Sequence, residues 1–224
     1  SLRRQRQMCI RDSGWVSAGK DSYVPDIFQM VVKPGLDFAD LRNWPPMGSK
    51  SLSGYQKKKL FHNQRGELFK DVAGQYGVDS QRDGRGVAVA DFDNDGRLDL
   101  FISNANSEPF LYHNTMSAAA GAAQWAEFAL EGKKSNRAGI GAQLRFSVGG
   151  QSYLRYADGG NGFAAQSSTR VHIGLGAAKV IDSLEVRWPS GEKQTFKNVP
   201  SGRIHRVVEG TAALQPFIKK ASKD

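Results

Sequence analysis

The sequence predicts a mainly β protein in two parts: a partial β-propeller, about one full blade plus the end of another, followed by a compact β-sandwich-like domain. Three observations point there. Short apolar or alternating runs recur between glycine- and proline-marked turns, in a chain with 25 glycines among 224 residues. The tetrapeptide L-F-H-N (Leu60 to Asn63) returns as L-Y-H-N (Leu111 to Asn114), an internal repeat. Between the two copies lies D-F-D-N-D-G-R-L-D, from Asp91 to Asp99, flanked by G-V-A-V-A and L-D-L-F-I-S, which alternate or run apolar as strands do.

In chain order, residues 1–13 stand apart. R-R-Q-R-Q-M-C-I-R-D-S, from Arg3 to Ser13, resembles a translated sequencing adapter, so it is expected to lie outside the native fold. On that reading the native start and any signal peptide precede what is seen. Cys9, the only cysteine, then carries no native disulfide or thiol chemistry. Setting aside the segment's four arginines and one aspartate brings the net charge from +9 to +6.

Residues 14–116 form the blade region. W-V-S-A-G-K (Trp15 to Lys20) parallels F-I-S-N-A-N (Phe101 to Asn106) and reads as the tail of an earlier copy. A long insertion at 21–56, with Pro25, Pro34, Pro45 and Pro46, predicts irregular surface chain with a short helix near Leu36 to Leu41. Leu60 to Asn114 reads as one four-stranded unit, with strands near Lys59–Asn63, Leu68–Val72, Val87–Phe92 and Asp99–Asn104. One such blade does not bury both of its faces alone, so further blades are expected upstream. Small residues at 117–123 read as a linker. From 124 to 210 seven short strands are expected: Trp125–Leu130, Ala142–Val148, Ser152–Tyr156, Thr169–Ile173, Ser183–Trp188, Thr195–Val199 and Ile204–Glu209. Gly149-Gly150 is a hairpin signal between two of them. Residues 211–224 read as a tail.

The acidic stretch is the strongest chemical signal. Alternate residues of a tight loop point inward, so Asp91, Asp93 and Asp95 can converge on one cation. Gly96 permits the reversal, the Arg97 carbonyl adds a ligand, and Asp99 closes the shell. Crowded carboxylates repel one another without a cation. An EF-hand would need Glu at the twelfth position, which here is Ile102, and helices on both flanks. An all-carboxylate cage suits Ca2+ better than the strictly octahedral magnesium ion.

With these residues set out, the loop within G-V-A-V-A-D-F-D-N-D-G-R-L-D-L-F-I-S resembles the FG-GAP (integrin-alpha-like, VCBS-type) propeller repeat. The C-terminal part resembles the ASPIC/UnbV domain, through S-N-R-A-G-I-G-A (Ser135 to Ala142), G-N-G-F-A-A-Q-S-S (Gly160 to Ser168), V-H-I-G-L-G (Val171 to Gly176) and W-P-S-G (Trp188 to Gly191). The combination is similar to the cartilage acidic protein family and its bacterial relatives. The resemblance implies an extracellular, cell-surface or periplasmic calcium-binding protein with no established enzymatic activity, with Asp91, Asp93, Asp95 and Asp99 as ligands. The bulk acidity of that family is absent from this basic chain.

Other motifs carry two readings each. The loop bearing Asn161, Phe163, Gln166, Ser167 and Ser168 can hold a sugar or peptide through hydrogen bonds and one aromatic face, or can satisfy neighbouring backbone. His62 and His113, at equivalent repeat positions, read as packing residues, and none of the four histidines shows paired zinc-ligand spacing. G-L-G-A-A-K (Gly174 to Lys179) lacks the third glycine and the helix of a phosphate loop, and no G-x-S-x-G elbow occurs. The Lys57-Lys58-Lys59 run beside Tyr55 is too isolated for a nucleic-acid surface and reads as solvated charge. No apolar run reaches membrane-spanning length. The expectation is a calcium-binding adhesion or binding module for a protein or glycan ligand at the cell surface or matrix, not an enzyme and without nucleic acid. The alternative is a non-catalytic part of a carbohydrate-active secreted enzyme.

Overall fold

The computed structural model describes residues 8–10, 21–37, 39–50, 57–64, 66–104, 107–116, 124–160, 162 and 165–217. The parallel copy at 15–20, the linker 117–123, Tyr55, Asn161 and Phe163 lie outside the described residues. The N-terminal part holds β1 (Met8–Ile10), α1 (Val24–Val31), β2 (Lys59–Gln64), β3 (Leu68–Asp71), β4 (Gly84–Ala90), β5 (Asp99–Asn104) and β6 (Ser107–Tyr112). The C-terminal part holds β7 (Gln124–Glu131), β8 (Gln143–Val148), β9 (Gln151–Tyr156), β10 (Val171–Gly176), β11 (Val180–Arg187), β12 (Lys193–Pro200), β13 (Arg203–Val208) and β14 (Gln215–Pro216).

The four-stranded unit read from Leu60 to Asn114 is instead shared between two sheets, ordered β1-β2-β3 and β4-β5-β6. β2 pairs with β3, whereas β4 pairs with β5 and β5 with β6. The reason lies after β3. Val72 and Ala73 turn inward, with the Val72 amide bonded to the Leu60 carbonyl and the Ala73 amide to Asp71 Oδ1. They pack with Leu60 and Val78 in a small core that Tyr112 touches. The chain therefore leaves the first sheet before β4 begins. L-F-H-N on β2 and L-Y-H-N on β6 thus mark corresponding strands of successive units, and the boundary falls between β3 and β4. The backbone of β1, within the adapter-like stretch, pairs antiparallel with β2.

The insertion also differs from expectation. Its helix lies at Val24–Val31, not near Leu36 to Leu41, where only a 3-10 turn at Leu41–Asn43 follows. Pro25 sits at the helix start, where its fixed φ and missing N–H are compatible with the first turn. Here proline begins a helix that a breaker reading places elsewhere.

All seven strands expected between 124 and 210 form, and β14 adds an eighth beyond them. They make two four-stranded sheets, β10-β7-β13-β14 and β12-β11-β8-β9. Alternate residues of both sheets meet in one core, with Phe128, Leu144, Ile173, Leu184, Val186 and Val207 fully buried. Gly149 and Gly150, with φ of +54° and +76°, turn β8 into β9, as a two-residue loop with both centres left-handed requires. Leu214 packs on this core and Gln215 pairs with Arg206, so the domain extends into the stretch read as tail.

Two of the sequence motifs meet at Glu209. Its Oε2 accepts from the amides of Lys133, Lys134 and Ser135 at 2.6, 2.7 and 2.8 Å. Its Oε1 accepts from the Ser135 and Ser190 hydroxyls. Burial works to raise the Glu209 pKa, but the bonds from Ser135, Ser190 and Lys133 prevail and bring it to about 2. The start of S-N-R-A-G-I-G-A and the W-P-S-G turn are thereby stapled to the end of β13.

Candidate metal site at the domain junction

The acidic stretch joins β4 to β5 as a tight loop. Asn94 and Gly96 take left-handed conformations, with φ of +64° and +87°. Asp91 and Asp99, at the two ends, are 1% and 2% exposed. Asp91 Oδ1 accepts from the Asp95 amide at 3.0 Å and its Oδ2 from the Gly96 amide at 2.8 Å. Asp99 Oδ2 accepts from the Phe92 amide at 3.1 Å and its Oδ1 from the Asn114 amide at 2.8 Å. The loop backbone thus holds both buried carboxylates in place through amide hydrogen bonds. Each oxygen retains a second lone pair.

Ligand atoms of Asp91, Asp93 and Asp99 lie within 4.8 Å of one another. A second set of atoms within that span joins Asp93 and Asp95 to His113. Of the four aspartates expected around one ion, three form the tight group and Asp95 sits beside it through Asp93. Asp95 also pairs with the Arg97 guanidinium, whose Nε donates to the Asn114 carbonyl. Burial works to raise the Asp93 pKa, but hydrogen bonding from the Asp95 amide and the nearby His113 carry it below the usual carboxylate value. His113 Nε2 stands 3.0 Å from Asp93 Oδ2, so this histidine belongs to the loop surroundings rather than to packing. Repeat equivalence with His62, which lies on β2, does not name its partner, and His113 itself lies just beyond the end of β6. The donors are oxygens, two of them on nearly inaccessible carboxylates, and this set fits a hard cation such as calcium.

The C-terminal domain covers the outer side of this loop. Arg170, just before β10, donates from Nη2 to the Asp91 carbonyl at 2.6 Å and from Nη1 to Asn94 Oδ1 at 2.7 Å. His172 on β10 lies with Nε2 at 2.9 Å from the Gly96 carbonyl, so that nitrogen carries the proton. Burial lowers the His172 pKa, against the raising effect of that hydrogen bond. Trp125 on β7 stacks beside His172 with ring centres 6.3 Å apart and lies against Gly96. Ala126 and Phe128 on β7 face the sandwich core, whereas Glu127, between them, faces Arg170 and the side of Asp91 and is equally inaccessible. Its Oε2 is 2.9 Å from Arg170 Nη1, off the alignment of a hydrogen bond, and its Oε1 has no hydrogen-bond partner among the described residues. Burial raises the Glu127 pKa to about 7; Arg170 opposes this and Asp91 adds to it.

The loop read as a possible sugar or peptide site runs along the free edge of β4. Val89 donates to Ser167 Oγ at 3.2 Å, and the Ser168 amide donates to the Val89 carbonyl at 2.9 Å. Ser168 Oγ accepts from the Arg170 amide. These two serines therefore satisfy backbone at a strand edge that would otherwise stand unpaired. Gln166 is exposed. The lysine run is divided: Lys57 and Lys59 pair with Asp79 and Asp71, while Lys58 is buried, donates to the Arg82 carbonyl and lies over the Phe110 ring. Beside the junction an open cleft of about 650 Å³ is lined by Asn94, Trp125, Arg203, Ile204 and Phe217 among others. Among the described residues no helix is long and apolar enough to cross a membrane.

Residues 132–214 match the family model described as ASPIC and UnbV, and residues 51–102 match the FG-GAP-like repeat. Among curated relatives, human cartilage acidic protein 1 is 28% identical over 170 residues, covering 71% of this chain and 24% of that protein. The Xenopus tropicalis protein of the same name is 33% identical over 144 residues, covering 58% of this chain and 20% of its own length. The mouse protein is 27% identical over 165 residues, covering 71% of this chain and 25% of its own. The chain thus spans at most a quarter of the length of these relatives.

Proposed function

We propose that this chain, which carries an FG-GAP-like repeat followed by an ASPIC/UnbV domain, is part of an extracellular, cell-surface or periplasmic binding and adhesion module with a structural calcium ion in the blade loop. The observation that carries this reading is the convergence of Asp91, Asp93 and Asp99 within 4.8 Å, two of them buried. Asp95 and the Arg97 carbonyl are the next ligands in the loop. Bound calcium supplies positive charge that relieves carboxylate repulsion and fixes the β4–β5 turn. The aspartates act as fasteners, and the module binds a protein or glycan rather than transforming a substrate. An exported location suits this reading, since extracellular calcium modules typically bind at ~10⁻⁴ to 10⁻³ M, levels the cytosol does not reach.

Calorimetric titration of the whole chain with calcium tests this. Saturable binding to the wild type, lost in Asp93→Ala, is expected. Equal heats for both proteins would sink the assignment.

A further inference from the structure

The loop has a second occupant besides any cation. Three of its backbone or side-chain acceptors, the Asp91 carbonyl, Asn94 Oδ1 and the Gly96 carbonyl, are taken by Arg170 and His172 from the other domain. One of the three also supplies a carboxylate of the candidate site: Asp91 offers its side chain to the cluster and its carbonyl to Arg170. Trp125 lies against Gly96, the position that lacks a side chain. Arg170 is itself oriented from behind by the inaccessible Glu127 at 2.9 Å and from the side by Phe217, whose ring centre is 5.8 Å from the guanidinium carbon. The Arg170 side chain is 17% exposed, so these contacts are made away from water.

We infer that Arg170 and His172 are positioning residues for the cation loop, so that calcium binding to the blade and docking of the ASPIC/UnbV domain are coupled. The inference rests on the calcium reading above. Its physical basis is that one backbone conformation serves both events. The φ values at Asn94 and Gly96 that turn the carboxylates inward also turn the acceptors outward toward Arg170 and His172. A cation that fixes this conformation pre-forms the docking surface, and docking pre-forms the cage. Linkage makes the effect reciprocal: whatever factor docking contributes to calcium affinity, calcium contributes to docking.

The test uses the full chain and calcium alone. Arg170→Ala removes the bridge from the domain side. Asn94→Gly removes one acceptor from the loop side while keeping a residue at ease with positive φ and leaving every carboxylate in place. Both variants should bind calcium about tenfold more weakly than wild type by calorimetry, as loss of a partly buried charge-assisted hydrogen bond implies. Trp125 emission, isolated by difference from Trp125→Phe, should follow the calcium titration in wild type and should respond less in either variant. Should Arg170→Ala fail to fold, Asn94→Gly decides alone. Wild-type affinity in Asn94→Gly, with a Trp125 signal indifferent to calcium, overturns the coupling while leaving the calcium site standing. Absence of calcium binding to the wild type overturns both.

Discussion

Gly96 and Trp125 are in contact across the domain junction so closely that no side chain fits between them: a Cβ built on Gly96 would stand 1.9 Å from Trp125 Nε1. Gly96 therefore has two constraints. Its φ of +87° suits glycine, and its bare Cα lets the indole of the second domain lie on the loop. From sequence, only the first constraint was visible.

Gly96→Ala is accordingly expected to destabilise the junction by about 1–3 kcal/mol, the range for overpacking a filled site. Thermal unfolding of the variant checks the loss. In a double-mutant cycle, Gly96→Ala should cost less on a Trp125→Ala background than in the wild type, because the clash is gone. Gly96→Ala costing as much on the Trp125→Ala background as in the wild type would show that backbone strain, not contact with Trp125, dominates.

What could be read from the residues follows their locality. Strands such as β8, β10, β11 and β12 alternate buried and open side chains over a sandwich core, and period-two patterns announce themselves. The acidic loop was legible for the same reason, because Asp91 to Asp99 is nine adjacent residues. The junction was not. Arg170 reaches Asp91 and Asn94 across 79 and 76 residues of chain, and nothing around Ser168–Arg170 marks that partner. Glu127 did leave a trace, a charge inside the apolar run W-A-E-F-A-L, which marks a strand covered on both faces. The division of the blade strands into two sheets was hidden because it depends on Val72 and Ala73 turning inward, not on any strand's own pattern.

Glu209 should be a principal staple of the C-terminal domain. Glu209→Gln keeps the shape but loses the charge that three amides and two hydroxyls address. Hydrogen bonds to buried charged groups contribute about 1.5–3 kcal/mol, so a loss of that size in chemical denaturation is expected. The pH dependence has a definite sign. The folded pKa, about 2, lies below the ordinary glutamate value, so this stabilisation is present at neutral pH and is lost as pH falls from about 4.5 through 2. An acid-unfolding profile identical in wild type and Glu209→Gln would refute the assignment.

Glu127 acts in the opposite sense. Its folded pKa, about 7, lies above the ordinary value, so the folded state holds a proton that the unfolded state has released. Its contribution is most favourable below about 4.5 and is lost as pH rises through 7. Arg170, Asp91 and His172 are the charged or titratable groups that act around it. Glu127→Gln, which fixes the neutral form, should flatten the melting temperature between pH 4.5 and 7.5 relative to wild type. A wild-type melting temperature that does not decline in that window, or an equal decline in the variant, would rule out this role.

Calcium should raise the stability of the blade more than that of the sandwich, because the Asp91, Asp93 and Asp99 carboxylates belong to the β4–β5 turn. With free calcium at about twenty times the dissociation constant, ligand linkage gives roughly 1.8 kcal/mol. Hydrogen exchange resolves where this appears. Amides of Asp95 and Gly96, bonded to the Asp91 carboxylate, and of Asn114, bonded to Asp99, should gain protection on adding calcium and lose it with chelator. Amides of the sandwich core, such as those of β8 and β11, should change less. Arg170→Ala should keep the local gain at Asp95 and Gly96 once calcium is saturating, while the Ser168 amide, bonded to Val89 across the junction, gains less than in wild type. Protection that rises equally in every strand would mean that the ion stabilises the whole fold from elsewhere, and the loop would lose its claim to it.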